Sequence, residues 1–222
     1  MRINVGCGQT PIEGWRNFDN SISVHLSKTY LLALFLFKLK LLGEEEYAFV
    51  NFCRLNRFEY GDARKIEYGD ARKRLPLADG SIDVFYSSHM IEHLDQTDAT
   101  KVLKEARRVL CHGGIIRLSV PDLHKLAEKY IETREADKFI SRLKLSQTTT
   151  RTIIQKLKFI ITENIKTHRW MYDGESLRGV LTSHGFLKAS VMPAGTTRIK
   201  NHEPLNLYNR AAESVYVETE NP

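Results

Sequence analysis

The stretch "RINVGCGQTPIEGWRNFDN", Arg2 to Asn20, decides how the rest of the chain reads. Arg2 to Val5 reads as a short strand that ends at once in Gly6-Cys7-Gly8. Trp15 to Asp19 fits a second short strand, with Pro11 and Gly14 marking the loop before it. Two glycines one residue apart let the backbone turn tightly and approach a ligand closely. A carboxylate at the end of the following strand is placed to accept hydrogen bonds from a ribose diol. Neither feature is specific alone. GxG also marks an ordinary turn, and an Asp suits a turn or cap on its own merits. The dinucleotide fingerprint needs a third glycine at position 11, where Pro11 stands, and no Gly-Lys-Ser/Thr phosphate loop follows. Pyrophosphate recognition is disfavoured.

Beyond this stretch, strand-like and helix-like segments alternate. Ser27 to Leu42 reads as one helix, being too long an apolar run for a strand. Glu44 to Arg57 is ambiguous. Ile82 to Ser87 is a clear strand, and Asp98 to Leu110 repeats apolar residues at helical spacing. Gly113-Gly114 is expected to stop that helix, with a strand from Ile115 to Val120 and a helix starting near Pro121. Two further basic amphipathic helices are expected between Arg134 and Thr167. Gly174 to His184 reads as a helix, Phe186 to Met192 as a strand and Ser214 to Glu218 as the last strand. This alternation predicts an α/β fold with a mostly parallel sheet, whose ligands bind beyond the C-terminal strand ends.

Bulk properties set limits. At 222 residues, 42% hydrophobic and 27% charged, the composition is that of one globular domain. The net charge of +6 permits an anionic partner but is too small to demand nucleic acid. Three scattered cysteines without a CxxC pair argue against a disulfide framework, and a reducing cytoplasm is expected. The opening MRINVGCG lacks the apolar core of a signal peptide, and no apolar run reaches the ~20 residues of a membrane span.

The segment "EYGDARKIEYGDARK", Glu59 to Lys73, offers an acid behind a short strand twice, at Asp62 and Asp70. Lys65 to Gly69 can be that strand, and "LPLADGSID" follows Asp70 shortly, so the second copy is the expected binding copy.

Taken together, "INVGCG", "NFDN", "YGDA", "LPLADGSIDVFYSSHMIEHLD", "EARRVLCHGGIIRLSVPDL" and "HGF" resemble class I S-adenosylmethionine-dependent methyltransferases, closest to the small bacterial ones of the methyltransferase type 11 group. The resemblance spans roughly residues 1–20 and 66–125. It implies a Rossmann-like seven-stranded, mostly parallel sheet with helices on both faces. The chain from 1 to 222 would be one domain, with an inserted helical segment at about 22–58 and a helical cap at about 134–168. It implies S-adenosyl-L-methionine as cofactor, with Gly6, Cys7 and Gly8 lining its methionine part and Asp19 on the ribose. Asp70 and Ala71 would face the adenine, and Ser88 and His89 would sit beside the sulfonium. Asn4, counted with the cofactor loop, stands where the family often has Glu or Asp. It can hold the loop by hydrogen bonds but brings no negative charge. The short Gly8–Asp19 connection implies an abbreviated first helix.

"HMIEH", His89 to His93, also matches the H-x-x-E-H pattern of one zinc-protease group. That reading needs a helix and a further ligand downstream, and short motifs match often by chance, so no metal is expected. Methyl transfer from a sulfonium needs alignment more than a base. A hydroxyl acceptor would profit from one; His89, His93 and His168 could serve, and His89 and His93 are taken as the catalytic candidates. His168, Trp170 and Tyr172 could wall the substrate pocket or belong to the core. The apolar helix around Leu31 to Leu42 fits core, a lid, a contact in a homodimer or an interface with a lipid-linked acceptor; core or lid is favoured. The expected acceptor is a small molecule or saccharide rather than RNA, since no basic, aromatic-studded surface is evident. The rival reading is a non-catalytic protein that keeps the fold to bind the cofactor or a partner.

Overall fold

The computed structural model describes residues 1–61, 65–144 and 167–222 of the chain. Seven strands form one sheet: β1 (Arg2–Val5), β2 (Arg16–Asp19), β3 (Ile66–Tyr68), β4 (Ile82–Ser88), β5 (Leu110–Pro121), β6 (Leu187–Met192) and β7 (Ser214–Glu220). Their order is β3-β2-β1-β4-β5-β7-β6. Neighbours pair in parallel except at β7, which runs antiparallel to both β5 and β6. The order reverses between β1 and β4, where an open α/β sheet leaves a crevice for ligands.

The central strands are buried on both faces, as their continuous apolar runs require. The main core joins Ile3, Phe18, Phe85 and Leu118 of the sheet to Val102, Leu103 and Ala106 of α4 (Gln96–Val109). That helix starts where Asp95 accepts a hydrogen bond from the Asp98 amide at 2.8 Å. It ends at Val109, and β5 begins at the next residue, five positions before the expected Ile115. The glycine pair does not stop a helix; it lies within the strand. From Ile82 to Val84 on β4, the paired positions on β5 run from Leu110 to Ile115, so β5 bulges at Cys111–Gly114. A Cβ on Gly114 would crowd the Cys111 carbonyl at 3.0 Å and the Asp83 carbonyl at 3.3 Å, so the close backbone approach favours glycine there. Pro121 closes β5, and α5 (Leu123–Thr133) follows, capped by Asp122.

No helix joins β1 to β2; the crossover is made of turns alone. The connection from β2 to β3 holds three helices instead, α1 (Ile22–Leu26), α2 (Tyr30–Lys38) and α3 (Glu44–Tyr60). The expected single helix over Ser27–Leu42 is therefore shorter, and the ambiguous segment is helical. Ala33 of α2 is buried with Leu26, Leu42 and Val50, while Leu31 and Phe35 are 81% and 58% exposed. A helix that is apolar all round can bury only one side on a single partner helix. Of the two basic helices expected after Arg134, one is α6 (Ala136–Leu143), and the other falls outside the described residues. The last helix, α7 (Gly174–Ser183), opens with a capping box between Asp173 and Ser176. Among the described residues no helix is long and apolar enough to cross a membrane.

Candidate functional site

The glycine loop after β1 is tied down from below. Gly6 and Cys7 amides both donate to the Phe18 carbonyl, at 2.8 and 3.1 Å. The Asp19 carboxylate accepts from the Gly8 amide at 2.9 Å and from Ser21 at 2.8 Å. Burial raises the Asp19 carboxyl above its ordinary value, and these two amides oppose the rise. Beneath the loop Asn4 donates to the Thr10 carbonyl at 3.0 Å and to Asn17 at 3.2 Å, and Asn17 bonds Ile12 and Trp15 in turn. Two buried amides thus replace the missing helix as the loop's support. The Cys7 thiol points inward to Val24, Cys53 and Ile66, where burial raises its pKa well above the ordinary thiol range. Gly8, at φ +49°, faces space that a Cβ would leave empty to 4 Å.

At the end of β3, Gly69 donates to the Asp19 carbonyl at 3.1 Å, which brings the two acids to adjacent strand ends. Both oxygens of Asp70 are held by the Arg72 side chain at 2.8 Å, and Arg72 reaches on to Asp98. Burial pushes the Asp70 carboxyl up, but the Arg72 bonds and charge outweigh it and leave it below its ordinary value. Ala71, the next residue, is buried in the main core.

Beyond β4 and β5 opens a cleft of about 700 Å³, lined by His89, Glu92, His93 and His168 and flanked by Lys125, Lys129, Arg142, Lys144 and Arg210. The volume suits a small ligand. His89 follows β4 with φ +51°, a left-handed conformation that a non-glycine residue adopts at a cost of about 1–3 kcal/mol. Its ring lies 2.8 Å from Ser214 Oγ through Nε2, and 3.2 Å from Arg210 Nη1 and 3.4 Å from Glu92 Oε1 through Nδ1. Arg210 only donates, so Nδ1 is unprotonated and accepts from it, and the ring proton sits on Nε2. The 3₁₀ turn Ile91–His93 then carries Glu92 inward, wholly buried, and His93 to the cleft wall. Ser88 accepts from Asn209 Nδ2 at 2.9 Å.

Residues 47–118 match the family described as "Methyltransferase domain". Over that segment the chain is similar to a methyltransferase domain, and its sheet order agrees with a Rossmann-like α/β fold. The matched segment begins inside α3 and ends in β5, so the glycine loop lies ahead of it. Solved structures agree in fold. A chain of the complex between the Haloferax volcanii Trm112 methyltransferase activator and a methyltransferase aligns with 100% of this chain and 81% of its own, at 12% identity and a TM-score of 0.51. The CurJ carbon methyltransferase aligns with 99% of this chain and 48% of its own, at 11% identity and 0.52. The magnesium protoporphyrin IX methyltransferase of Synechocystis PCC 6803, solved with bound SAH, gives 100%, 74%, 13% and 0.50. No curated protein matches the sequence.

The candidate site gathers some of the expected residues and parts others. Gly6, Gly8, Asp19, Asp70, Ser88 and His89 all stand at the C-terminal ends of β1 to β4. Asn4 lies one layer lower, beneath the loop, and Cys7 turns its side chain away. His89, His93 and His168 meet in the cleft. Trp170 and Tyr172 do not line it: Trp170 is 44% exposed elsewhere, and Tyr172 is 2% exposed in the main core. Burial first, then the nearby Glu92, pushes the Tyr172 phenol up to about 12. Asp62 lies outside the described residues. Sequence reasoning passed over Asn17, Ser214 and Arg210, which carry no motif. It also passed over Glu92 as a site centre, although "HMIEH" displayed it.

Proposed function

We propose that this domain moves a methyl group from S-adenosylmethionine to a small molecule or saccharide bound in the cleft beyond β4 and β5. The observation that carries this reading is the contact between the two half-sites: the turn that bears His89 packs through Met90 directly on Gly6. The residues present fit the cofactor, since Gly8 faces open space and each Asp19 oxygen keeps a lone pair beside its amide bond. The five lysines and arginines around the cleft favour an acceptor that carries a carboxylate or phosphate. One domain over 1–222, with the inserted helices at about 22–58 and a cap at about 134–168, fits this use, since α3 sends Glu45 and α6 sends Arg142 to the cleft wall. Three free cysteines suit a reducing cytoplasm.

Bound S-adenosylmethionine supplies an already activated methyl, so alignment of the acceptor carries much of the rate. For a hydroxyl acceptor, His89 takes the proton on Nδ1 once the Arg210 guanidinium turns from it to the acceptor, and Glu92 at 3.4 Å stabilises the imidazolium. His93 stands beside it as the second candidate. Asp70 and Ala71 are assigned to the adenine end and His168 to the acceptor wall.

Purified chain with methyl-labelled cofactor and a panel of anionic and neutral small molecules and saccharides tests the reading. Label should pass to an anionic member. Cofactor binding with no transfer to any acceptor would favour the non-catalytic reading, and label in RNA would replace the acceptor class.

A further inference from the structure

We infer that Glu92, His93 and His168 form a binding site for one divalent transition-metal ion, zinc first among them, with an open position toward the cleft. One ligand atom from each of the three residues lies within 4.8 Å of the others. The residues come from two segments, the turn after β4 and the strand-like entry to α7 at His168, joined where the Arg169 and Trp170 amides donate to the Glu92 carbonyl at 2.8 and 3.1 Å.

Hydrogen-bond donors and acceptors are mismatched around this cluster. Glu92 is 0% exposed, and neither carboxylate oxygen has a hydrogen-bond partner among the described residues. A carboxylate buried without a partner is strongly disfavoured. The neighbouring rings do not relieve it. His93 places Nδ1 3.1 Å from the Thr167 carbonyl, which can only accept, so its proton is there. Its Nε2 is therefore bare and faces Glu92 Oε1 at 3.9 Å. His89 spends its own proton on Ser214 and turns an unprotonated Nδ1 to Glu92. His168 Nδ1 is buried without a partner among the described residues. Arg210 serves the His89 Nδ1, but the lone pairs of Glu92, His93 Nε2 and His168 Nδ1 face one another with no donor among the described residues. A cation resolves this at once.

The donor set also selects the cation. Two imidazoles and one carboxylate are the ligands of an open zinc site, with the fourth position left for water or substrate. The hydrogen bond from His93 Nδ1–H to a backbone carbonyl is the outer contact that fixes the tautomer of a metal-bound histidine. The set is not the His89–His93 helical pair that "HMIEH" suggests. Those residues follow a strand and a 3₁₀ turn, and His89 is directed to Ser214 and Arg210. With the ion bound, His93 is a ligand and His89 keeps the proton-accepting role. The site stands whether or not the methyl-transfer reading does.

Chelator-dialysed full-length protein is titrated with Zn²⁺ by calorimetry and with Co²⁺ by visible absorption. The site predicts one equivalent per chain at micromolar affinity or tighter, with the visible band of a low-symmetry Co²⁺ centre. Glu92→Gln and His168→Gln should each weaken Zn²⁺ binding by more than about tenfold. His124→Gln, which alters the exposed His124–Glu128 pair elsewhere, should leave it unchanged. Zinc should raise the melting temperature of the wild type and not of folded variants; if Glu92→Gln fails to fold, His168→Gln carries the comparison. Less than a tenth of an equivalent bound, or equal affinity in wild type and His168→Gln, overturns the proposal.

Discussion

A Cβ on Gly6 would lie 2.5 Å from Cγ of Met90 and 2.8 Å from its Cβ, so the glycine loop and the turn after β4 are one packed unit. Gly6 also holds φ +69°, which disfavours any side chain. Gly6→Ala should therefore destabilise the fold by about 2–4 kcal/mol, combining overpacking with left-handed strain. Gly8→Ala meets no atom within 4 Å and should cost only the strain, about 1–2 kcal/mol. Urea unfolding of both variants measures the difference; equal losses would mean that Met90 yields freely.

Asp19 supports the same loop through the Gly8 amide and is the ribose candidate. Asp19→Ala should weaken S-adenosylmethionine binding by about 1.5–3 kcal/mol in calorimetry, the worth of a charged acceptor. Its pH behaviour has a definite sign. Burial raises the folded pKa above the ordinary 3.8, so the folded state holds the proton more tightly than the unfolded chain. The contribution is present below the ordinary value and is lost as pH rises through the raised one. The cofactor-free Asp19→Asn protein should accordingly gain stability relative to wild type from about pH 4 to pH 7. A relative loss over that range would show that the amide bonds dominate.

Arg117 and Glu218 form an ion pair at 2.6 Å between β5 and β7, both fully buried. Glu218 also accepts from the Arg198 amide at 2.8 Å and from Thr197 Oγ1, while Arg117 donates to the Thr196 carbonyl. Glu218→Ala strands a buried guanidinium and should cost about 3–5 kcal/mol. Chemical denaturation should find that loss with cofactor affinity preserved in the folded fraction.

This pair marks the boundary of what the sequence discloses. Strand positions were legible because parallel central strands need continuous apolar runs, and "INV", "IDVF" and "IIRLSV" supply them. The inward charge of Arg117 was not, because its partner lies 101 residues away and no local pattern encodes that pairing. The strand ends with Gly6, Gly8, Asp19 and His89 were legible for the same local reason. The Glu92–His93–His168 convergence was not, since it depends on a loop returning from residue 167 to the end of β4. The boundaries of β5 misled because Gly113-Gly114 serves equally to end a helix or to let a strand bulge against a neighbour, and only the packing on Asp83 decides.

The repeated EYGDARK supplies the last prediction. β3 is the second copy's strand, with Ile66, Glu67 and Tyr68 paired to Asn17, Phe18 and Asp19. Gly69 fixes that register, since its amide bonds the Asp19 carbonyl and a Cβ there would stand 2.7 Å from the Phe18 ring. Arg16 and Glu67 add a two-bond ion pair across the same strands at 2.8 Å. The second copy is thus locked to β2, and Asp70 stands beside Asp19 at the strand ends. Its carboxylate is shared with Arg72, so an adenine amino group would bond the lone pairs that Arg72 leaves. Asp70→Ala should weaken S-adenosylmethionine binding by about tenfold, the worth of one charge-assisted bond, whereas Asp62→Ala should change it less than about twofold. Calorimetry on the two variants decides: equal losses, or the larger loss at Asp62, would assign the adenine to the first copy.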